Sequence, residues 1–228
     1  MSDLFRIPLA EKYRPIRFEE VIGQSKLIGQ IQGLKARGGL GGRAYWLSGR
    51  SGGGKSSTAK LIGREVADDL NIEVSDARGL SIETLKDWER SSRLYGLGDK
   101  HGRAFIVEEA HTLRKPLIDR LLVVVDTGNI PAHCVWLFTS TKTGVDSLFE
   151  DYEDAGPLLS RCTRLEFTSR NVAKALAARA KWIAEQEGLD GRDLDDYLKL
   201  VNEHSGNMRG VLNDIEAGRM LPGKGGDE

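Results

Sequence analysis

Apolar residues along this 228-residue chain fall into two rhythms. Residues 24–36 carry Leu27, Ile28, Ile31 and Leu34 at the spacing of one helix face. Residues 44–48 (AYWLS) predict a short strand, and a helix follows over 55–69. Residues 72–75 (IEVS) predict a second strand. Residues 80–94 predict a helix with Leu80, Ile82, Leu85 and Trp88 on one face. The runs 104–108 (AFIVE) and 134–139 (CVWLFT) are continuously apolar and suit buried parallel strands. Thr112 opens a helix to about 126 between them, and 164–167 (RLEF) predicts a shorter fifth strand. After Phe167 the strand rhythm stops, and 171–187, 192–203 and 207–219 are helical. Residues 1–23 are irregular, with Pro8 and Pro15 blocking a long helix, and 37–43 (RGGLGGR) predict a flexible connector. Alternating strands and helices imply right-handed crossovers and a parallel sheet. The expected class is α/β: a five-stranded parallel sheet flanked by helices over 1–168, a small all-helical domain over 169–222, and a disordered tail over 223–228.

Charge and cysteine content narrow the function classes. The 33 Lys+Arg balance 34 Asp+Glu, so no global positive field draws the molecule to nucleic acid or membrane, although a local basic face remains open. Cys134 and Cys162 make no disulfide framework and no zinc site by themselves. His101, His111, His133 and His204 show no metal spacing. Trp46, Trp88, Trp136 and Trp182 sit in apolar patterns and are expected in the core. The amino terminus lacks the form of a signal peptide and no run approaches the length of a membrane span, so no membrane partner and a reduced, cytoplasmic setting are expected. The unusual number is 27 glycines, which asks where backbone must approach something closely.

Four of those glycines lie in Gly49-Arg-Ser-Gly-Gly-Gly-Lys-Ser56, a full match to the phosphate-loop pattern, with a strand before it and a helix after it. Backbone N–H groups of Ser51, Gly52, Gly53 and Gly54, with Ser57 in the first helical turn, are placed to cradle phosphates. Lys55 can reach β/γ-phosphate oxygens and the Ser56 hydroxyl can sit on Mg²⁺, which implies ATP and Mg²⁺ as cofactors. The strand Ala104–Val107 delivers Glu108 and Glu109 at its carboxyl end, where parallel sheets place ligand-facing groups. We assign Glu108 to the metal and Glu109 to the attacking water. Ser140 and Thr141 close the strand CVWLFT, where a small hydroxyl can approach a γ-phosphate.

In this order the motifs resemble the AAA+ ATPases, and within them the motor subunits of sliding-clamp loaders: replication factor C small subunits, the bacterial gamma/delta-prime group and the T4-type phage loader. Glu11-Lys-Tyr-Arg-Pro15 with Glu20-Val-Ile-Gly-Gln24 is similar to the family's adenine-binding segment. Val74-Ser-Asp-Ala-Arg-Gly79, Leu158-Leu-Ser-Arg-Cys-Thr163 and Gly206-Asn-Met-Arg209 match three further signatures, so the likeness spans 11–219. The resemblance implies an arginine finger at Arg161 that reaches a neighbouring subunit's γ-phosphate, so active sites would lie at the interfaces of a homo- or hetero-oligomer. It implies a lid sensor at Arg209, a first sensor at Thr141, and an adenine pocket lined by Tyr13, Arg14, Val21 and Ile22. It also implies a sliding clamp and primer–template DNA as partners. Arg78, Arg114 and Lys115 are the candidates for the DNA backbone, and Leu94, Tyr95 and Leu97 mark the region expected to meet a clamp.

Three departures accompany the likeness. The acidic pair is Glu-Glu where the family usually has Asp-Glu, so Mg²⁺ placement can shift and turnover slow. Leu122 and Val123 stand where replication factor C subunits often carry an arginine pair. The sequence stops about where a collar domain would begin. The leading expectation is a Mg²⁺-dependent ATPase subunit of an oligomeric replication machine, most like a clamp-loader motor. The alternatives are another AAA+ DNA motor, for helicase loading or transposition, and a non-hydrolysing ATP-binding scaffold. A collarless relative would suit a bacterial, phage or mobile-element source.

Overall fold

A computed structural model describes residues 7–126, 128–142 and 156–222. The expected disordered tail at 223–228 lies outside the described residues. The described chain divides into two compact units, one holding 25–50 and 55–167, the other holding 7–24, 51–54 and the residues from Thr168 onward. The second unit thus takes in segments from the amino-terminal portion that the sequence pattern places with the sheet.

The first unit is a five-stranded parallel sheet in the order β2-β3-β4-β1-β5, with β1 Arg43–Ser48, β2 Ile72–Asp76, β3 Arg103–Glu108, β4 Cys134–Ser140 and β5 Thr163–Glu166. Every residue of β4 is buried, as a central strand covered on both faces requires. The edge strand β2 is half-exposed along its length. Trp136 stacks on Phe105 at 4.6 Å between ring centroids, and Trp88 packs against both at 6.0 and 5.5 Å. The flanking helices are α2 Ser25–Ala36, α3 Lys55–Val66, α4 Ile82–Ser92, α5 Lys115–Val124 and α6 Gly156–Ser160. Ser81 caps α4 by accepting from Thr84 N at 3.0 Å. Helix α5 starts three residues later than the sequence pattern suggests. Pro116 has no N–H and is tolerated only in a first turn, so Ala110–Thr112 forms a separate 3₁₀ turn.

The glycine connector is only partly flexible. Around Gly38 and Gly39 there is open space, but a Cβ on Gly41 would lie 2.1 Å from Ala132 O. Gly42 N donates to Cys134 O at 2.7 Å, so this half of the segment is packed onto the sheet. Glycine is needed at 41 for that close approach, which composition alone does not distinguish from a linker.

The second unit is built on α1 Leu9–Lys12, α7 Ala173–Gln186, α8 Leu194–Glu203 and α9 Met208–Glu216. Leu9, Leu176, Ala180, Ile183, Tyr197, Leu200, Val211 and Ile215 make its core. Trp182 departs from the expected core position: it lies off the Leu176–Ala180–Ile183 stripe of α7 and is 42% exposed. Its ring is covered by the Arg179 guanidinium at 4.4 Å and met edge-on by Tyr13 at 5.9 Å.

Candidate active site at the strand carboxyl ends

In the sheet unit, β4 lies between β1, which leads to the phosphate loop, and β3, which ends in the acidic pair. Neighbouring strands are about 4.8 Å apart, so the ends of β1 and β3 face each other across roughly 10 Å with the end of β4 between them. Gly49 N donates to Ser140 O at 3.2 Å and ties the start of the loop to β4. Lys55 begins α3, is 6% exposed, and its Nζ donates to Arg50 O at 2.8 Å. A backbone carbonyl is thus one of the groups that meet this buried cation.

Glu109 adopts the left-handed conformation, φ 52° and ψ 40°. A non-glycine residue there costs about 1–3 kcal/mol and must be held by its surroundings. Thr112 holds it: its N and Oγ1 donate to Glu109 O at 2.8 and 2.9 Å. The Glu109 carboxylate reaches the neighbouring strand end, where Thr141 Oγ1 donates to Oε2 at 3.0 Å. His111 Nδ1 lies 3.5 Å from the same oxygen and 3.4 Å from Ser140 Oγ. Burial is the largest influence on His111 and lowers its pKa; Glu109 acts upward, while Lys142, Arg78 and Lys55 act downward. Three cations and the Glu109 carboxylate therefore bear on the His111 ring at the strand ends.

Glu108 ends β3, half-buried, and its carbonyl accepts from Ala77 N at 2.8 Å. No group of three or more His, Cys, Asp or Glu able to hold a metal occurs among the described residues. One carboxylate from Glu108 and one hydroxyl from Ser56 make an all-oxygen, incomplete set. Such a set fits Mg²⁺, which takes one or two protein ligands, phosphate oxygens and water.

Arg161 follows α6 and is exposed; its Nε donates to Asp126 Oδ1 at 2.9 Å and its Nη1 to Pro157 O at 3.0 Å. Arg78 is exposed after β2, with its N donating to Asp76 Oδ1 at 2.8 Å. Arg114 is the amino-terminal cap residue of α5 and Lys115 its first residue, both exposed. Leu94, Tyr95 and Leu97 are 62%, 71% and 75% exposed. Val123 is exposed too, while Leu122 packs on the core.

The remaining candidates belong to the helical unit. Tyr13 and Ile22 pack on its core, and Val21 is buried. The Tyr13 hydroxyl donates to Glu187, and burial with that bond pushes its pKa up to about 12. Arg14 pairs with Glu11 at 2.6 Å. Gln24 fastens the amino-terminal segment by a reciprocal pair with Thr168, Nε2 to O and N to Oε1, both 2.9 Å. Arg209 is exposed in the first turn of α9, whose cap Asn207 accepts from Arg209 N and Gly210 N. Asn207 also touches the phosphate loop: a Cβ on Gly52 would lie 1.9 Å from its Oδ1. Residues 51–54 form turns, with Ser57 buried in the helix beyond.

Sequence reasoning passed over His111, Asp126 and Asn207 as site residues. His111 stands two residues beyond Glu109, a spacing that a tight turn brings together. Asn207 carries the ordinary mark of a helix cap. Nothing local marks Asp126, because its partner is 35 residues away.

No protein-family model matches the chain. It is similar to the replication factor C small subunit of Halobacterium salinarum, with 28% identity over 215 residues, 91% of this chain and 61% of that protein. It is also similar to replication factor C subunit 3 of Blastobotrys adeninivorans, with 26% identity over 219 residues, 92% of this chain and 60% of that protein. The chain thus spans about three fifths of the length of these relatives. Among solved structures it is similar to the Thermotoga maritima RuvB Holliday junction branch migration motor, with TM-score 0.65, 20% identity, and 90% and 64% of the two chains covered. The chain shares the fold of that structure, here a five-stranded parallel sheet flanked by helices. No helix among the described residues is long and apolar enough to cross a membrane.

Proposed function

We propose that the chain binds and hydrolyses ATP as a motor subunit of an oligomeric, DNA-associated clamp-loading machine. The observation that carries the hydrolytic reading is Glu109, held in a left-handed turn with its carboxylate fastened to Thr141 at the carboxyl ends of β3 and β4. Similarity to replication factor C subunits supports the clamp-loading part.

In this reading Lys55 exchanges its Arg50 carbonyl for β- and γ-phosphate oxygens, and loop N–H groups from 51–54 cradle the same phosphates. Ser56 and Glu108 hold Mg²⁺, which when bound neutralises the phosphate charge. Glu109 takes a proton from water as that water attacks the γ-phosphorus, giving ADP and phosphate, and Thr141 fixes the direction of the carboxylate. Arg161 completes the site of a neighbouring subunit, and Arg209 contacts the nucleotide of its own subunit from the helical lid, residues 169–222. Tyr13, Arg14, Val21 and Ile22 border the adenine. Arg78, Arg114 and Lys115 supply backbone contacts for primer–template DNA. The exposed Leu94–Tyr95–Leu97 segment offers the apolar surface for a sliding clamp.

Steady-state ATPase with and without primed DNA tests the reading, together with sizing in a non-hydrolysable ATP analogue. We expect DNA-stimulated turnover and an assembly larger than a monomer. Lys55→Ala should abolish nucleotide binding, and Arg161→Ala should spare binding but stop turnover. Intact analogue binding with no turnover would favour a scaffold; the Glu108 departure motivates that second reading. A monomer under all conditions would remove the trans role of Arg161.

A further inference from the structure

We infer that Asp126 is the positioning residue of the Arg161 finger, fixing the guanidinium so that its remaining donors point outward to a neighbouring subunit's nucleotide. The inference rests on the proposed trans role of Arg161 and adds a second residue to the same catalytic element.

Three observations converge on it. First, both backbones are pinned. Arg161 N donates to Leu158 O and Cys162 N to Leu159 O, each at 3.2 Å, while Leu158, Leu159 and Cys162 are buried in the core that also takes Leu121, Val124 and Val125 at the end of α5. Asp126 comes next after Val125, the cap of that helix, and its carbonyl accepts from Asn129 N at 2.9 Å. The two side chains therefore start from positions that a common core fixes, although 35 residues separate them in sequence.

Second, the bonding pattern leaves the finger usable. A guanidinium has five N–H donors in a rigid plane. Asp126 takes Nε–H at 2.9 Å and Pro157 O takes one Nη1–H at 3.0 Å. Two bonds to one planar group settle its orientation, and three donors remain, Nη2 among them. A long flexible side chain is thereby ordered before its phosphate arrives, which lowers the cost of forming the charge-assisted contact later.

Third, stability gives little reason for the pair. Side-chain exposures of 33% for Arg161 and 52% for Asp126 put it in the class of surface ion pairs, which contribute little to folding. Positioning a trans-acting charge is a use that does not depend on folding energy. The opposite use, in which the contact parks the finger and restrains it, predicts the opposite change in rate when Asp126 is removed.

The experiment compares Asp126→Ala, Asp126→Asn and Arg161→Ala as full chains in the assembled state, reading kcat, KM for ATP, analogue binding and melting temperature. A finger is worth about 10³–10⁵ in rate, and misplacing rather than removing it is expected to cost about tenfold or more in kcat. Asp126→Ala should show that loss with KM, analogue binding and melting temperature near wild type. Asp126→Asn keeps an oxygen acceptor for Nε–H and should recover most of the rate. Unchanged or raised kcat in Asp126→Ala, with Arg161→Ala inactive, would overturn the positioning role and leave the finger itself standing. Normal turnover in Arg161→Ala would overturn both. If Asp126→Ala does not fold, Asp126→Ser keeps a polar helix end but falls short of the guanidinium, and the same two outcomes apply to it.

Discussion

Thr141 Oγ1 donates to Glu109 Oε2 at 3.0 Å, so the polar end of β4 fastens the acid that follows β3. Strand order makes this possible, because β3 and β4 are hydrogen-bonded neighbours while the loop-bearing β1 flanks β4 on its other side. The bond gives the hydroxyl at the end of a buried strand a role in aiming a carboxylate, and it sets up the first expectation.

Glu109→Gln keeps the shape of the side chain and removes its basicity. Turnover should fall about 10²–10⁴-fold, the usual contribution of a general base, while ATP-analogue binding stays intact. Thr141→Val removes only the donor that aims the carboxylate, so a smaller fall in kcat with unchanged analogue affinity is expected. Single-turnover kinetics beside equilibrium binding separates the two effects. Equal loss of binding in both variants would show that the pair supports the nucleotide pocket rather than the chemistry.

His111 gives a pH expectation with a definite sign. Burial, supported by Lys142, Arg78 and Lys55, holds its pKa below the ordinary histidine value near 6.5. The neutral ring is favoured in the folded state. The unfolded chain therefore binds the proton first as pH falls through 6.5, and this contribution to stability is lost as pH drops to the lowered folded value. The melting temperature of wild type should fall more steeply on acidification from about 7.5 to 5.5 than that of His111→Gln. Parallel curves for the two proteins would refute the assignment.

The five strands were largely legible in the sequence, because continuous apolar runs such as Cys134–Ser140 have few alternatives to a buried parallel strand, whereas their order in the sheet appears only in the structure. Pro116 shows where local reading stops short: the periodicity extends back to Thr112, and only the ring's steric demand moves the helix start to Lys115. The short α6 was invisible, since five residues carry no period. The same limit applies to the site. Lys55, Glu108 and Glu109 announce themselves through motif and strand context, whereas Asp126 and Asn207 acquire a role only through partners brought close by folding. Gly41 looked like linker for the same reason, because Ala132 is what it must approach.

Tyr13 separates a packing role from a nucleotide-binding one. Its hydroxyl donates to Glu187 and its ring meets Trp182 edge-on within the helical unit. Tyr13→Phe retains the ring and leaves Glu187, which also pairs with Lys12 at 2.8 Å, short of one donor. A loss of about 0.5–1.5 kcal/mol is expected, read as a lower melting temperature. ATP-analogue affinity should stay near wild type if the ring is what borders the adenine. A large loss of affinity with unchanged stability would place the hydroxyl itself on the nucleotide.

Gly52 and Asn207 offer a test by double-mutant cycle. Gly52 has φ +71°, where a side chain costs about 1–2 kcal/mol, and its Cβ would lie 1.9 Å from Asn207 Oδ1 and 2.8 Å from Asn207 Cα. Gly52→Ala should therefore impair both stability and nucleotide binding by more than the backbone penalty alone. Asn207→Gly removes the side chain that stands in the way, and glycine at a helix cap costs only a few tenths of a kcal/mol. The clash with the backbone at position 207 and the strained φ remain, so rescue should be partial. The double variant is expected to be less damaged than the sum of the single ones, in denaturant melts and in analogue affinity. Asn207→Ala, which loses the cap to Arg209 N and Gly210 N, should instead cost about 1 kcal/mol in stability by itself. Strict additivity of Gly52→Ala and Asn207→Gly would mean that the phosphate loop and this helix cap do not meet in solution.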